Sequence, residues 1–149
     1  VLANSAQASL SGTTMNFGSG VTVNPSAVFT HTSGTVTLDG TNQSLSGSIT
    51  FYNLTKSVTS AYTLTFAATT TQTITNTLTL NGAASTILSL RSSQTGTAWK
   101  IFPSGSRSTS YLNVKDSNNT HSAAIDCTTG CTDTSNNTNW DFVADSSGS

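Results

Sequence analysis

Glutamate is absent from this 149-residue chain, and charged residues of every kind make up 7% of it, against about 25% in an average soluble domain. The five Lys and Arg residues are scattered and form no basic patch, so nucleic-acid binding is not expected. Two prolines are too few for a mucin-like stalk. A net charge of −1 with 34% hydrophobic residues is also unlike the composition of disordered segments. No apolar run approaches the roughly eighteen residues of a membrane-spanning helix. No stretch keeps the apolar period of about 3.6 residues that marks an amphipathic helix. The two cysteines stand in Cys127-Thr128-Thr129-Gly130-Cys131, and with only His31 and His121 beside them a structural zinc lacks its second ligand pair.

What fills the space is hydroxyl: 30 Thr and 25 Ser. Hydroxyls and Asn amides keep a surface wet without charge, and β-branched Thr suits a pleated strand whose outer face meets water. Through this background run apolar pairs with one residue between their members: Val36/Leu38, Ile49/Phe51, Leu64/Phe66, Leu78/Leu80, Leu88/Leu90, Trp99/Ile101 and Leu112/Val114. That spacing puts both members on one face of a short strand and the middle residue on the other. The run from Thr69 to Leu80, with Thr at 69, 70, 71, 73, 75, 77 and 79, has the period of two that belongs to strand. So short a strand cannot bury its face alone, and stacking successive strands as rungs builds one continuous core.

The expected fold class is therefore all-β, a parallel β-helix or β-solenoid of about eight to ten short rungs with end caps. One domain over residues 1–149 is expected. Residues 1–31 form an N-terminal cap or linking strand, 32–120 the regular rungs, and 121–149 a C-terminal cap with the Cys loop and a tail. Asp39-Gly40, Asn81-Gly82 and Ser104-Gly105 punctuate the rungs as dipeptides that tolerate a left-handed backbone. Trp140/Phe142 are large enough to cover the last open rung. A disulfide between Cys127 and Cys131 is favoured over a metal site or two free thiols, and would place the chain in an oxidising compartment. Val1 begins the sequence without Met, as expected of a processed mature protein or of a piece cut from something longer, and Val1 to Ala8 are read as mature sequence.

The stretches from Gly34 to Thr41, Ile49 to Thr55 and Thr73 to Gly82, followed by Leu88 to Ser93, Val114 to Asn119 and Asn136 to Trp140, resemble in their order the repeating module of very large secreted bacterial surface proteins. The resemblance covers Thr32 to Phe142. It implies a right-handed parallel β-helix at the cell surface or in an extracellular fibre, with an adhesive or structural role and no catalytic residues or cofactors to carry over.

The expected function is structural: an extracellular filament subunit or a surface or adhesin module, not an enzyme, partnered by copies of itself or by adjacent modules. A strand including Val1, Leu2 and Leu10 is a candidate for adding to a neighbour's open edge. Three other readings carry residues of their own. A carbohydrate-binding adhesin would use Tyr52, Tyr62, Trp99 and Tyr111 if they line one face, although Trp99 also fits the core. An ice-binding face would use Thr35 and Thr37, Thr63 and Thr65, and Thr77 and Thr79 as equivalent rows. A polysaccharide lyase or hydrolase would need paired carboxylates, for which Asp116 and Asp126, near Lys115 and Arg107, are the candidates. Asp116, Asn118 and Asn119 supply oxygens of the kind that bind calcium, and equally ordinary Asx caps. Sequons at Asn42, Asn53, Asn118 and Asn136 are expected by chance in so hydroxyl-rich a chain.

Overall fold

The computed structural model describes residues 7–10, 13–19, 21–22, 28–31 and 33–142. The described residues contain no helix. Their strands are β1 (Gln7–Leu10), β2 (Thr13–Phe17), β3 (Val21–Thr22), β4 (Val28–His31), β5 (Gly34–Leu38), β6 (Gln43–Ser46), β7 (Ile49–Ser57), β8 (Tyr62–Phe66) and β9 (Thr71–Asn81). There follow β10 (Leu88–Ser92), β11 (Trp99–Pro103), β12 (Ser106–Ser110), β13 (Leu112–Lys115), β14 (Ser117–Asn119), β15 (Ile125–Cys127), β16 (Thr132–Ser135) and β17 (Trp140–Phe142). The protein is all-β, built from parallel sheets.

One sheet runs β2-β5-β7-β9-β11-β14, with β12 also pairing β9; another runs β3-β6-β8-β10-β13-β16. The pairs β1-β4 and β15-β17 complete the set, and every named strand pair is parallel. Parallel neighbours require the chain to travel round and return. The return takes 15 residues from Ile125 to Trp140, 18 from Thr35 to Asn53, 24 from Leu88 to Leu112 and 29 from Thr77 to Ser106.

These distances correct the expected spacing. Apolar pairs ten to fifteen residues apart are not neighbours in one sheet: Val36/Leu38, Ile49/Phe51, Leu78/Leu80 and Trp99/Ile101 belong to the first sheet, Leu64/Phe66, Leu88/Leu90 and Leu112/Val114 to the second. Each main sheet has six levels along its path, fewer than the eight to ten rungs expected, because one level uses more than one pair.

All these pairs are buried and join one core, which ends on the half-buried Met15 and Phe17 at one side and Trp140 and Phe142 at the other. Trp99 is wholly buried, its ring stacked on Phe66 at 3.8 Å with 5° between planes, and its indole N–H donates to Lys115 O at 3.1 Å. Strands β7 and β9 are long because they cross a corner. Between Phe51/Ile74 and Asn53/Thr77 the register slips by one residue, a bulge that bends both strands. Beyond it, β9 changes partner: Thr71–Ile74 pair with β11, Thr77–Asn81 with β12.

The punctuating glycines act differently from expectation. Gly40, Gly82 and Gly105 do not have the positive φ found at Gly34, Gly47, Gly96 and Gly130. They are close-approach positions instead: a Cβ on Gly40 would stand 2.0 Å from Gly18 O, and one on Gly105 would stand 1.9 Å from Asn76 O. Corner segments of successive levels press together backbone to backbone.

Candidate functional site

The outward rows are the first candidate. In the first sheet the register lines up Thr14, Thr35, Asn53, Thr77 and Ser106 in one column, and Asn16, Thr37, Thr55, Thr79 and Ser108 in the next. Thr35 and Thr37 therefore share a face with Thr77 and Thr79. The expected third row, Thr63 and Thr65, does not belong to that face, which corrects the equivalence of the three. Both residues lie on β8 in the second sheet: Thr63 is in register with Ser89, and Thr65 stands between Ser44 and Arg91. A long cationic side chain next to Thr65 ends any hydroxyl row there, because Arg91 spends its guanidinium on Leu90 O and on Asn113. The three Thr-x-Thr stretches look alike because each is the outward pair of a strand; only the chain path separates them. Thr55 was hidden because Lys56 interrupts its apolar pair. The columns are tied internally, Asn53 Nδ2 donating to Thr35 Oγ1 at 3.2 Å while Asn53 Oδ1 accepts the Thr77 N–H at 3.1 Å.

The aromatic candidates do not line one face. Trp99 is core, Tyr62 packs against the core at the level of Leu88, and Tyr111 takes positive φ (52°) with its ring against the Gly130 backbone. Tyr52 sits at the bulge between β7 and β9.

The carboxylates are also apart. Asp116 lies between β13 and β14, 2% exposed, its main chain at positive φ (56°). Its carboxylate accepts the Gly96 N–H at 3.0 Å and the Asn136 amide at 2.7 Å, joining levels twenty residues to either side. Burial alone pushes this carboxyl up, but the Asn136 and Gly96 donors with the Lys115 and Arg91 charges outweigh it and hold it below the ordinary range. Asp126 is in β15 beside Asp141 of β17, and accepts the Thr128 N–H, which holds it low. The ten-residue spacing joins different faces, so the two acids form no pair. Asn119 is committed as well, its amide donating to Ala123 O and Asn139 O and its Oδ1 accepting the His121 N–H. Among the described residues no group of three or more His, Cys, Asp or Glu is placed to hold a metal.

Two basic residues occupy inward positions. Lys56 stands between Leu38 and Leu80 and is fully buried. Its ammonium donates to Leu38 O (3.3 Å), Gly40 O (2.9 Å), Thr41 O (3.2 Å) and Gln43 Oε1 (2.6 Å). Gln43, also buried, passes the connection on to Phe17 O and Ser19 O. Burial pushes Lys56 below its ordinary value, with the Asp39 charge pulling the other way. Arg107 takes the place in register with Leu78 and spends its guanidinium on Pro103 O, Ala123 O, Ala124 O and His121 Nδ1. Arg107 drew notice in the sequence only as a charge near Asp116, and Lys56 and Gln43 were missed, although Leu54-x-Lys56 and Gln43-x-Leu45 keep the spacing of the apolar pairs.

Cys127 and Cys131 form a disulfide. Cys127 is buried in β15, and Gly130, at φ 65°, leaves room for the Tyr111 ring, whose Cδ1 is 2.3 Å from where a Cβ would stand. Of the candidate self-assembly strand, Val1 and Leu2 lie outside the described residues. Leu10 belongs to β1, which pairs along one edge with β4 of the same chain, Leu10 in register with His31.

No protein-family model matches the chain, and comparison with curated proteins and with solved structures likewise returns no match. No helix among the described residues is long and apolar enough to cross a membrane.

Proposed function

We propose that the chain is a parallel β-solenoid with three strand faces per turn, and that it serves outside the cell as a structural or adhesin-type module without catalysis. The observation that carries this reading is the register. Strands follow in threes, β1-β2-β3, β4-β5-β6, then the two halves of β7 with β8, the two halves of β9 with β10, β11-β12-β13 and β14-β15-β16; members of successive triplets pair in parallel, except that β4 and the first half of β7, and β12 and β15, lie against each other without a ladder. Such a stack fills its own interior with Leu, Ile, Phe and Trp and leaves no room there for a ligand. The charges that chemistry would need are spent on main-chain carbonyls and amides, as at Lys56, Arg107 and Asp116. The Cys127–Cys131 disulfide supports an oxidising compartment.

The test has two arms. Material from the native cells is located by fractionation and treated with a thiol reagent before and after reduction. Surface or medium location, with Cys127 and Cys131 labelled only after reduction, is expected; a cytoplasmic protein with free thiols would overturn the reading. Incubation with a panel of polysaccharides is expected to release no product.

The Thr and Ser columns on the first sheet favour a second reading, a face that orders water on a lattice. Thermal hysteresis of the purified chain decides it, and its loss in Thr55→Lys, but not in Thr65→Lys on the second sheet, would assign the activity to that face.

A further inference from the structure

We infer that the two ends of the strand stack are mutually complementary, and that a second copy of this chain docks head to tail on them, β2 of one copy pairing β17 of the next. This rests on the solenoid reading and names its partner. Among the described residues β2 and β17 each have a strand neighbour on one side only, as do β3 and β16. In a parallel stack each level presents the next with the hydrogen-bonding edge that it has itself been offered from below. The leading edge of one copy therefore fits the trailing edge of another, just as β5 fits β7. A second copy offers β17, on its β2, the same kind of parallel edge that β5 already offers β2, with inward residues at the same spacing of two.

The side chains agree. Met15 and Phe17 point inward over Val36 and Leu38, and Trp140 and Phe142 point inward over Ile125 and Cys127. These four are the core residues left half-buried at the ends. Both pairs have the same spacing of two, so Met15 over Trp140 and Phe17 over Phe142 continues the core across the junction, with Asn16 beside Asp141 on the outside. Charge selects head to tail over tail to tail. The trailing end carries exposed Asp133 and Asp141, which would face their own equals in a symmetric pair, whereas β1, β2 and β3 carry no charged residue. Such a heterologous contact does not close on itself and gives open chains of copies.

The experiment uses the full chain carrying both Asn16→Cys and Asp141→Cys, positions that are exposed and outside the core. A short bismaleimide cross-linker is expected to give a ladder of covalent oligomers whose linked peptides join residue 16 to residue 141. A control with Thr79→Cys in place of Asn16→Cys, in the same column but three levels inside the stack and so about 19 Å from residue 141 of the neighbour, is expected to give none. Unlinked monomer, or links only between identical positions, from protein that retains its cooperative melt and native disulfide would overturn this inference and leave the scaffold reading standing. Wild-type protein lacking a β-sheet circular dichroism spectrum would instead remove the scaffold reading itself.

Discussion

At Lys56 a long cationic side chain occupies a leucine's place, and four oxygens surround its nitrogen. Three are carbonyls of the segment from Leu38 to Thr41, so the ammonium holds that corner against β7. Lys56→Met keeps the volume but leaves those acceptors without a donor, and is expected to cost about 2–4 kcal/mol, read as a fall in urea midpoint. Asp116→Asn separates charge from shape, because Asn also tolerates the left-handed backbone at this position. The carboxyl of Asp116 is held below its unfolded value, so its contribution is present above about pH 4 and lost as pH falls through the folded value. The substitution is expected to lower stability by about 1–3 kcal/mol at pH 7 and by much less at pH 2, measured by thermal melts at both.

Among the elements, the corners are less tolerant than the strands. Gly105→Ala puts a methyl group against Asn76 O and must push β12 off β9; a loss of at least about 2 kcal/mol is expected, with exchange protection falling at Thr77–Asn81 and Ser106–Ser110. Ser106→Ala, at an exposed place on the outward column, is expected to change stability by less than about 0.5 kcal/mol. The strands themselves were legible, since seven apolar pairs spaced i, i+2 fall in strands with both members buried. Their partners were not legible. Period two states which face a residue uses but not how far the chain travels before it meets itself, so Thr63 and Thr65 could not be told from the rows of the other sheet. A return of 15 to 29 residues is set by corner geometry such as the β7/β9 bulge, which leaves no apolar signal. The inward places of Lys56 and Arg107 were not legible for a related reason: a polar residue at an inward position gives no apolar signal and shows its place only through its acceptors.

For the molecule as a whole, the disulfide guards one end. It closes a loop of four residues' separation, for which loop-closure entropy gives about 2 kcal/mol. Cys127→Ser with Cys131→Ser is therefore expected to lower the melting temperature modestly, with exchange protection lost in β15 and β17 while β5 to β10 keep theirs. Uniform loss across all strands would mean that the stack melts as a single unit. The level-by-level pairing, each strand held mainly by the two beside it, favours the local outcome.

Because the ladder hydrogen bonds run along the stack, tension applied between its two ends loads them in line, together with the side-chain bonds that cross from level to level at Asn53 and Asp116. When one level yields, the 15 to 29 residues that had been wound round it are released, a gain in contour of roughly 50–100 Å at the reach of an extended chain. The molecule would lengthen in steps, and each step would dissipate work while the levels beyond it stayed closed. At the third level, Lys56 bonds directly to carbonyls of the level before it, a buried rivet beside the backbone ladder and the Asn53 to Thr35 bond across the same junction.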